Sequence, residues 1–199
     1  MREIEFLFDF GSPNAFLVHR AIPAIEARED VQFVYVPVLL GGIFKATGNQ
    51  SPAQTYGHIA AKRAYDRLEI ERFCSAHGIT DFVMNPHFPV NTLAIMRGAV
   101  AAQRLGVFAP YVEAMFVGMW TRGLKLDDPA VIAATLDAAG LPTAELLAEA
   151  QADPVKQALA ATTARAVERG VFGSPSFFVG DDLYFGKDRL RDAVEAAGG

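Results

Sequence analysis

Residues 3–15 read EIEFLFDFGSPNA, and this stretch decides the fold of the chain. Residues 3–10 alternate between charged and apolar side chains and then become mostly apolar, which predicts a buried β-strand. Gly11 ends that strand. Ser12 followed by Pro13 is typical of a helix start, with serine as the N-cap and proline at the first helical position. The pattern therefore predicts a strand, a tight turn and a helix.

The neighbouring segments extend this start into a sheet. The predicted helix runs to about residue 28, and residues 31–37 (VQFVYVP) have the β-branched and aromatic composition of a second strand. A strand, a helix and a strand in so short a stretch are typical of a βαβ unit with parallel strands. Near the other end, residues 176–186 predict a hairpin that turns at Asp181-Asp182, and residues 187–197 predict an amphipathic helix.

The middle of the chain is rich in alanine and has a helical pattern. Ser51-Pro52 predicts one helix that continues to about residue 76, and an irregular connection follows at 80–90. Further helices are predicted at 91–105, 108–121, 128–139, 143–151 and 154–169. We therefore expect an α/β fold in which residues 1–50 and 170–199 form one domain, with a helical insertion over residues 51–169.

Composition excludes several functional classes. The chain has 199 residues, of which 51% are hydrophobic and 21% charged, as in globular proteins. A net charge of −5 argues against binding to nucleic acid or to an anionic lipid surface. No stretch has the length of a membrane span, and the amino terminus lacks a signal-peptide pattern, so we expect a cytoplasmic protein that binds neither nucleic acid nor a membrane. The histidines show no metal-ligand spacing, so no metal is predicted.

Four motifs lie in register along nearly the whole chain. They are FDFGSPNAF (8–16), GGIFKATGNQSP (41–52), NPHFPVNTLAIMRG (85–98), and GVFGSPSFFV (170–179) followed by YFGKDRL. Together they resemble the DsbA-like group of the thioredoxin superfamily. The resemblance is to its glutathione-dependent branch, which holds 2-hydroxychromene-2-carboxylate isomerases and kappa-class glutathione transferases. It implies a thioredoxin-like fold of the DsbA/kappa type with a large all-helical insertion, glutathione as cofactor, a small aromatic substrate and a homodimer.

Ser12 stands where a redox relative would carry its reactive cysteine. The window Ser12-Pro13-Asn14-Ala15 has neither sulfur of a C-x-x-C pair, which excludes dithiol–disulfide exchange there. The local sequence leaves two roles open for Ser12, an N-cap or a hydroxyl that donates to a bound thiolate. The resemblance assigns it the second role as the catalytic residue, since a hydrogen bond and a helix N-terminus both favour an anion.

The resemblance also implies the other glutathione-binding residues. Ser174-Pro175 matches the cis-proline site, where the backbone of Ser174 would pair with the extended peptide; alternatively Pro175 only begins a strand. Lys187, through its backbone, and Asp188 would hold the γ-glutamyl end, although Asp188 would also complement a helix dipole. Asn49 matches an asparagine that touches glutathione, whereas Gly48-Asn49 alone would indicate a turn.

Three functions follow as hypotheses. In the first, an isomerase, the glutathione thiolate adds reversibly to a conjugated carbon, so that a double bond becomes single, rotates and forms again. In the second, a kappa-like transferase, the thiolate stays bonded to the substrate. In the third, the chain is a thioredoxin-like binding module without catalysis. FDFGSP, NPHFPVNTL and GVFGSPSFFV are more similar to the isomerases than to the transferases.

Overall fold

A four-stranded mixed sheet is formed by strands from the two ends of the chain. The computed structural model describes residues 2–198. The strands are β1 (Arg2–Phe8), β2 (Val31–Pro37), β3 (Ser176–Val179) and β4 (Asp182–Phe185). Their spatial order is β2-β1-β3-β4, with β1 parallel to β2 and antiparallel to β3. The predicted βαβ unit and carboxy-terminal hairpin are therefore confirmed.

Ten α-helices accompany the sheet within residues 2–198. They are α1 (Pro13–Glu26), α2 (Leu40–Thr47), α3 (Pro52–Tyr56), α4 (Ala60–His77), α5 (Leu93–Arg104), α6 (Phe108–Trp120), α7 (Pro129–Ala138), α8 (Thr143–Glu149), α9 (Asp153–Glu168) and α10 (Leu190–Gly198). A 3₁₀ turn over Lys187–Arg189 precedes α10. The fold class is the predicted one, and the division into domains at residues 50 and 170 stays a prediction.

The prediction of one helix from Ser51 to residue 76 is wrong. Ser51 and Gln54 form a capping box that starts α3, but this helix ends at Gly57 and α4 begins only at Ala60. None of the described side chains in these two helices is fully buried. Tertiary packing of a buried face is what usually stabilises a long helix. Because these two helices have no fully buried face, nothing in the packing requires them to be continuous.

Helix α2 was not predicted. Its first turn contains Gly41-Gly42, and glycine has a low helix propensity. Ile43 is completely buried in a small cluster on one face of the sheet, together with Leu7, Val38, Ala166, Val171 and Phe178. Tertiary burial therefore overrides the local preference at this position.

The main core joins the sheet to the helical middle of the chain. Phe8 and Phe10 are completely buried, and the ring of Phe116 on α6 lies 5.6 Å and 4.8 Å from theirs. The indole N–H of Trp120, also buried, donates to the carbonyl of Phe10 over 2.7 Å. The segment just before Ser12 is thus packed against α6, which restrains the start of α1.

A polar network connects α1 and β2 with α6. Nδ1 of His19 lies 2.8 Å from the Tyr35 hydroxyl, and its Nε2 donates to Glu113 over 2.9 Å. Arg20 also pairs with Glu113, at 3.3 Å, and with Asp81, at 2.5 Å. The hydrogen bond from His19, with the charges of His19 and Arg20, holds the pKa of Glu113 below its ordinary value of 4.5.

We predict that Glu113→Gln lowers stability more near pH 7 than near pH 3. Because the pKa of Glu113 is lower in the folded protein, its contribution to stability is present above about pH 4.5 and is lost as the pH falls through the folded value. The side chain is 50% exposed, so we expect a loss of no more than about 1 kcal/mol. Urea unfolding at both pH values measures it. Glu71→Gln, on the exposed side of α4, is the control, and an equal loss in the two variants would contradict the prediction.

Candidate active site

Ser12 lies at the junction of β1 and α1, where the ends of the chain meet. Its backbone is extended, and its Oγ accepts a hydrogen bond from the N–H of Ala15 over 3.2 Å, as an N-cap does. The Ser12 hydroxyl donates to the carbonyl of Ser174 over 2.8 Å. The residue is 4% exposed. The capping role is therefore present, and the hydroxyl proton points at the loop opposite α1.

The loop before β3 carries Ser174 and Pro175. The peptide bond between them is cis, as predicted from the resemblance. Oγ of Ser174 accepts from the backbone N–H of Asp9 over 3.1 Å. The carbonyl of Pro175 accepts from the N–H of Gly186 over 2.9 Å, just before the turn that begins at Lys187. The loop thus contacts both the end of β1 and the segment that leads into α10.

Lys187 and Asp188 lie at the start of the last helical segment. The ammonium of Lys187 lies 2.5 Å from Oδ1 of Asp188 and 5.3 Å from the centre of the Phe73 ring on α4. The side chain of Lys187 is 5% exposed, whereas that of Asp188 is 69% exposed. In this ion pair the side chain of Lys187 is therefore buried, and the carboxylate of Asp188 is exposed to solvent.

A groove of about 890 Å³ begins at Lys187 and Asp188 and runs between α1, α4 and α10. Its other lining residues include Phe73, His77 and Leu190, and Ser12 does not line it. Ile25, near the carboxy-terminal end of α1, also lines it, so the groove shares only Lys187 and Asp188 with the predicted site residues. Its place beside Asp188 leaves room for a ligand end at that carboxylate.

Asn49 is exposed and contacts the same loop from another direction. Its amide nitrogen donates to the carbonyl of Phe172 over 2.8 Å, and its Oδ1 accepts from the N–H of Gln50 over 2.8 Å. It therefore links the end of α2 to a residue two positions before Ser174. The six predicted residues thus all lie on or beside the loop 172–175 and the segments that it touches.

Asp9 is a residue of the site that the sequence analysis missed. It is completely buried, and its carboxyl group accepts the N–H groups of Gly11 at 2.8 Å and Leu40 at 2.7 Å, and a hydrogen bond from the Thr92 side chain. Burial raises the pKa of Asp9, and these three donors lower it in part. The signal in the sequence was an acidic residue between two phenylalanines, directly before the turn.

Comparison with known proteins places the chain in a family. The model of the DSBA-like thioredoxin domain matches residues 3–197. The chain belongs to this DSBA-like family. A 2-hydroxychromene-2-carboxylate isomerase of Pseudomonas sp. (strain C18) is 24% identical over 98% of this chain and 90% of its own length. Glutathione S-transferase kappa 1 of Rattus norvegicus is 26% identical over 96% of this chain and 88% of its own length.

The solved structures agree on the DSBA-like fold. The structure of a 2-hydroxychromene-2-carboxylate isomerase superposes with a TM-score of 0.83 at 23% identity, over 98% of this chain and 94% of that one. A probable DsbA oxidoreductase from Streptomyces coelicolor superposes with a TM-score of 0.79 at 14% identity, over 99% of this chain and 88% of that one. The resemblance inferred from the four motifs is therefore confirmed for the family and the fold.

Within residues 2–198, no three His, Cys, Asp or Glu side chains are grouped so that they would hold a metal ion. None of the helices in the same range is long and apolar enough to cross a bilayer.

We predict that Asn49→Ala lowers the free energy of unfolding by about 1 kcal/mol, because the hydrogen bond to the Phe172 carbonyl is lost. Gln50→Ala, at an exposed neighbouring position, should change it by less than about 0.5 kcal/mol. Urea unfolding at constant pH compares the two. An equal effect in both variants would show that Asn49 does not anchor the loop.

Proposed function

We propose that the protein is a glutathione-dependent isomerase of the 2-hydroxychromene-2-carboxylate type, with Ser12 as its catalytic residue. The observation that supports this best is the serine hydroxyl at the N-terminus of α1, facing the Ser174 carbonyl, in a fold whose redox members carry cysteine at that place. The relatives named 2-hydroxychromene-2-carboxylate isomerase support the reaction class.

The chemistry of the donors and acceptors fits glutathione. The Ser12 hydroxyl and the positive end of the α1 dipole favour a thiolate at that point. The exposed carboxylate of Asp188 suits the ammonium of a γ-glutamyl group, and the start of the last helical segment suits its carboxylate. The loop of Ser174 and Pro175 suits an extended peptide, and Asn49 borders this loop.

When bound, glutathione would supply a thiolate that adds reversibly to a conjugated carbon of a small aromatic substrate, so that the former double bond can rotate. Ser12 would hold the sulfur as the anion by donating its proton in a hydrogen bond, without giving the proton up. The macrodipole of α1 would act in the same direction. The protein would therefore need no acid or base of its own at the reacting carbon.

A kappa-like glutathione transferase is the second candidate, supported by the kappa relatives of rat and human. The same arrangement at Ser12 would serve both reactions, because both need a stabilised thiolate. The experiment is an assay of 2-hydroxychromene-2-carboxylate with and without glutathione, followed by mass spectrometry of the product. An isomer of unchanged mass supports the first function and a stable adduct the second. If the protein does not bind glutathione and turns over neither this substrate nor an electrophile that a transferase would use, the binding module without catalysis is the remaining hypothesis.

We also propose that the protein works in the cytoplasm, where glutathione is kept reduced.

We predict that Ser12→Ala reduces turnover about a hundredfold, the effect of removing one hydrogen bond to a catalytic anion. The pH–rate profile should move upward, because the pKa of the bound thiol rises when that hydrogen bond is lost. The lost N-cap should cost about 0.5–2 kcal/mol of stability.

The matched control is Asp128→Ala, which removes another N-cap that precedes a proline, at α7. Its stability should fall by a similar amount with turnover unchanged. Full activity of Ser12→Ala with an unchanged pH profile would show that Ser12 is a cap and nothing more.

The homodimer is also a proposal, and α3 and α4 offer a surface for it. Tyr56, Ile59, Tyr65 and Leu68 are between 40% and 54% exposed on or between these helices. Light scattering should give twice the 21.5 kDa of one chain. Combined Tyr65→Glu and Leu68→Glu substitutions should give the monomer, and Leu147→Glu, at an exposed leucine of α8, should not. A native monomer at micromolar concentration would contradict the proposal.

A further inference from the structure

Asp9 occupies the point at which three segments of the chain meet beside Ser12. One carboxyl oxygen accepts the N–H of Gly11, in the turn that leads to Ser12, over 2.8 Å. The other accepts the N–H of Leu40, the first residue of α2, over 2.7 Å. The side chain of Thr92, directly before α5, is also hydrogen-bonded to it. A completely buried carboxyl group thus ties the starts of α1, α2 and α5 to the end of β1.

The backbone of Asp9 contacts both serines of the site. Its N–H donates to Oγ of Ser174 over 3.1 Å, and its carbonyl accepts from the N–H of Ser12 over 3.0 Å. Ser12 and Ser174 are themselves joined by the 2.8 Å hydrogen bond from hydroxyl to carbonyl. A shift of Asp9 therefore changes the position of both groups that border the proposed sulfur site.

We propose that Asp9 is a positioning residue, whose carboxyl group holds Gly11, Leu40 and Thr92 so that the Ser12 hydroxyl and the N-terminus of α1 face the bound thiolate. This inference rests on the proposed function. Asp9 acts through the turn and not on the substrate, because the Ser12 hydroxyl donates to Ser174 and the three groups on the carboxyl group are all donors.

The direction in which the pKa of the bound thiol changes distinguishes a positioning role of Asp9 from a direct effect of its charge. A negative charge near the sulfur would oppose the thiolate, so removing such a charge would lower the pKa of the bound thiol. Loss of positioning has the opposite effect, because the hydrogen bond from Ser12 and the positive end of the α1 dipole are what stabilise the anion. The direction of the shift in an Asp9 variant therefore distinguishes the two.

Asp9→Asn is the first test, because it keeps the shape of the side chain and replaces one accepting oxygen with a donor. The N–H of either Gly11 or Leu40 then faces another donor, and the turn must move. We expect glutathione to bind about tenfold more weakly by calorimetry, the loss of one hydrogen bond to a charged group. We also expect the pKa of the bound thiol, followed by thiolate absorbance, to rise. An unchanged or lowered pKa would overturn the proposal.

The matched control is Glu26→Ala, since Oε1 of Glu26 accepts the N–H of Phe33 over 2.7 Å at the opposite end of α1. This variant removes the same kind of contact from the same helix, and we expect it to leave the pKa of the bound thiol unchanged. An equal rise in both variants would show a loss of general stability and would overturn the positioning role.

A second variant covers the case in which Asp9→Asn does not fold. Thr92→Val removes one donor and keeps the shape and volume of the side chain, so a smaller shift of the thiol pKa in the same direction is expected. Thr92→Ser, which keeps the hydroxyl, should restore most of the native value. Absence of a shift in Thr92→Val would overturn the proposal in that case.

Hydrogen exchange separates this inference from the proposed function. Without any ligand, the N–H groups of Gly11 and Leu40 should exchange at least about tenfold faster in the Asp9 or Thr92 variant than in Glu26→Ala. If the native chain does not bind glutathione but exchange is accelerated, the proposed function fails and Asp9 still positions the turn. If the native chain binds glutathione and exchange is unchanged, the role of Asp9 fails alone.

Discussion

The hydrogen bond from the Ser12 hydroxyl to the Ser174 carbonyl joins residues 162 positions apart in the chain. It closes the site at one end of the two central strands, β1 and β3, of a sheet whose strands come from the two ends of the sequence, with the helices α2 to α9 between them. Such long-range closure is costly in conformational entropy, so the contact depends on the sheet having formed. The site is therefore a product of the pairing of β1 with β3 and not of either segment alone.

That pairing depends in turn on an aromatic core. The side chains of Phe8 and Phe10 are buried against Phe116, and Trp120 both packs in this core and donates to the Phe10 carbonyl. A buried aromatic side chain contributes a large apolar area, and the indole N–H finds the partner that its burial requires. The helical middle of the chain thus holds the residue two positions before Ser12 in place.

The elements that the sequence predicted well are those whose local signals agree with their burial. The strand over residues 31–37 and the Ser12-Pro13 helix start are of this kind. Helix α2 was not predicted because two glycines in its first turn lower the local helix propensity, whereas the burial of Ile43 stabilises the helix. The break between α3 and α4 was missed because Ser51 caps a helix of a single turn. The hydrogen-bond partners of Asp9 could not be predicted from the sequence, because Leu40 and Thr92 lie close to it only in the folded chain.

The Ser12 hydroxyl would make a stronger hydrogen bond to a bound thiolate than the one it makes in the free protein. Ser12 has one hydroxyl proton, and in this structure the proton is directed to the Ser174 carbonyl. A hydrogen bond to an anion is about twice as strong as one between neutral groups, so under the proposed function the proton would turn to the thiolate. The Ser174 carbonyl would then need another donor, and an extended peptide ligand carries one in its backbone N–H. Binding would therefore replace the neutral hydrogen bond between Ser12 and Ser174 with two others. One would run from the Ser12 hydroxyl to the thiolate, and the other from a ligand N–H to the Ser174 carbonyl. A small thiol without a peptide backbone would make only the first.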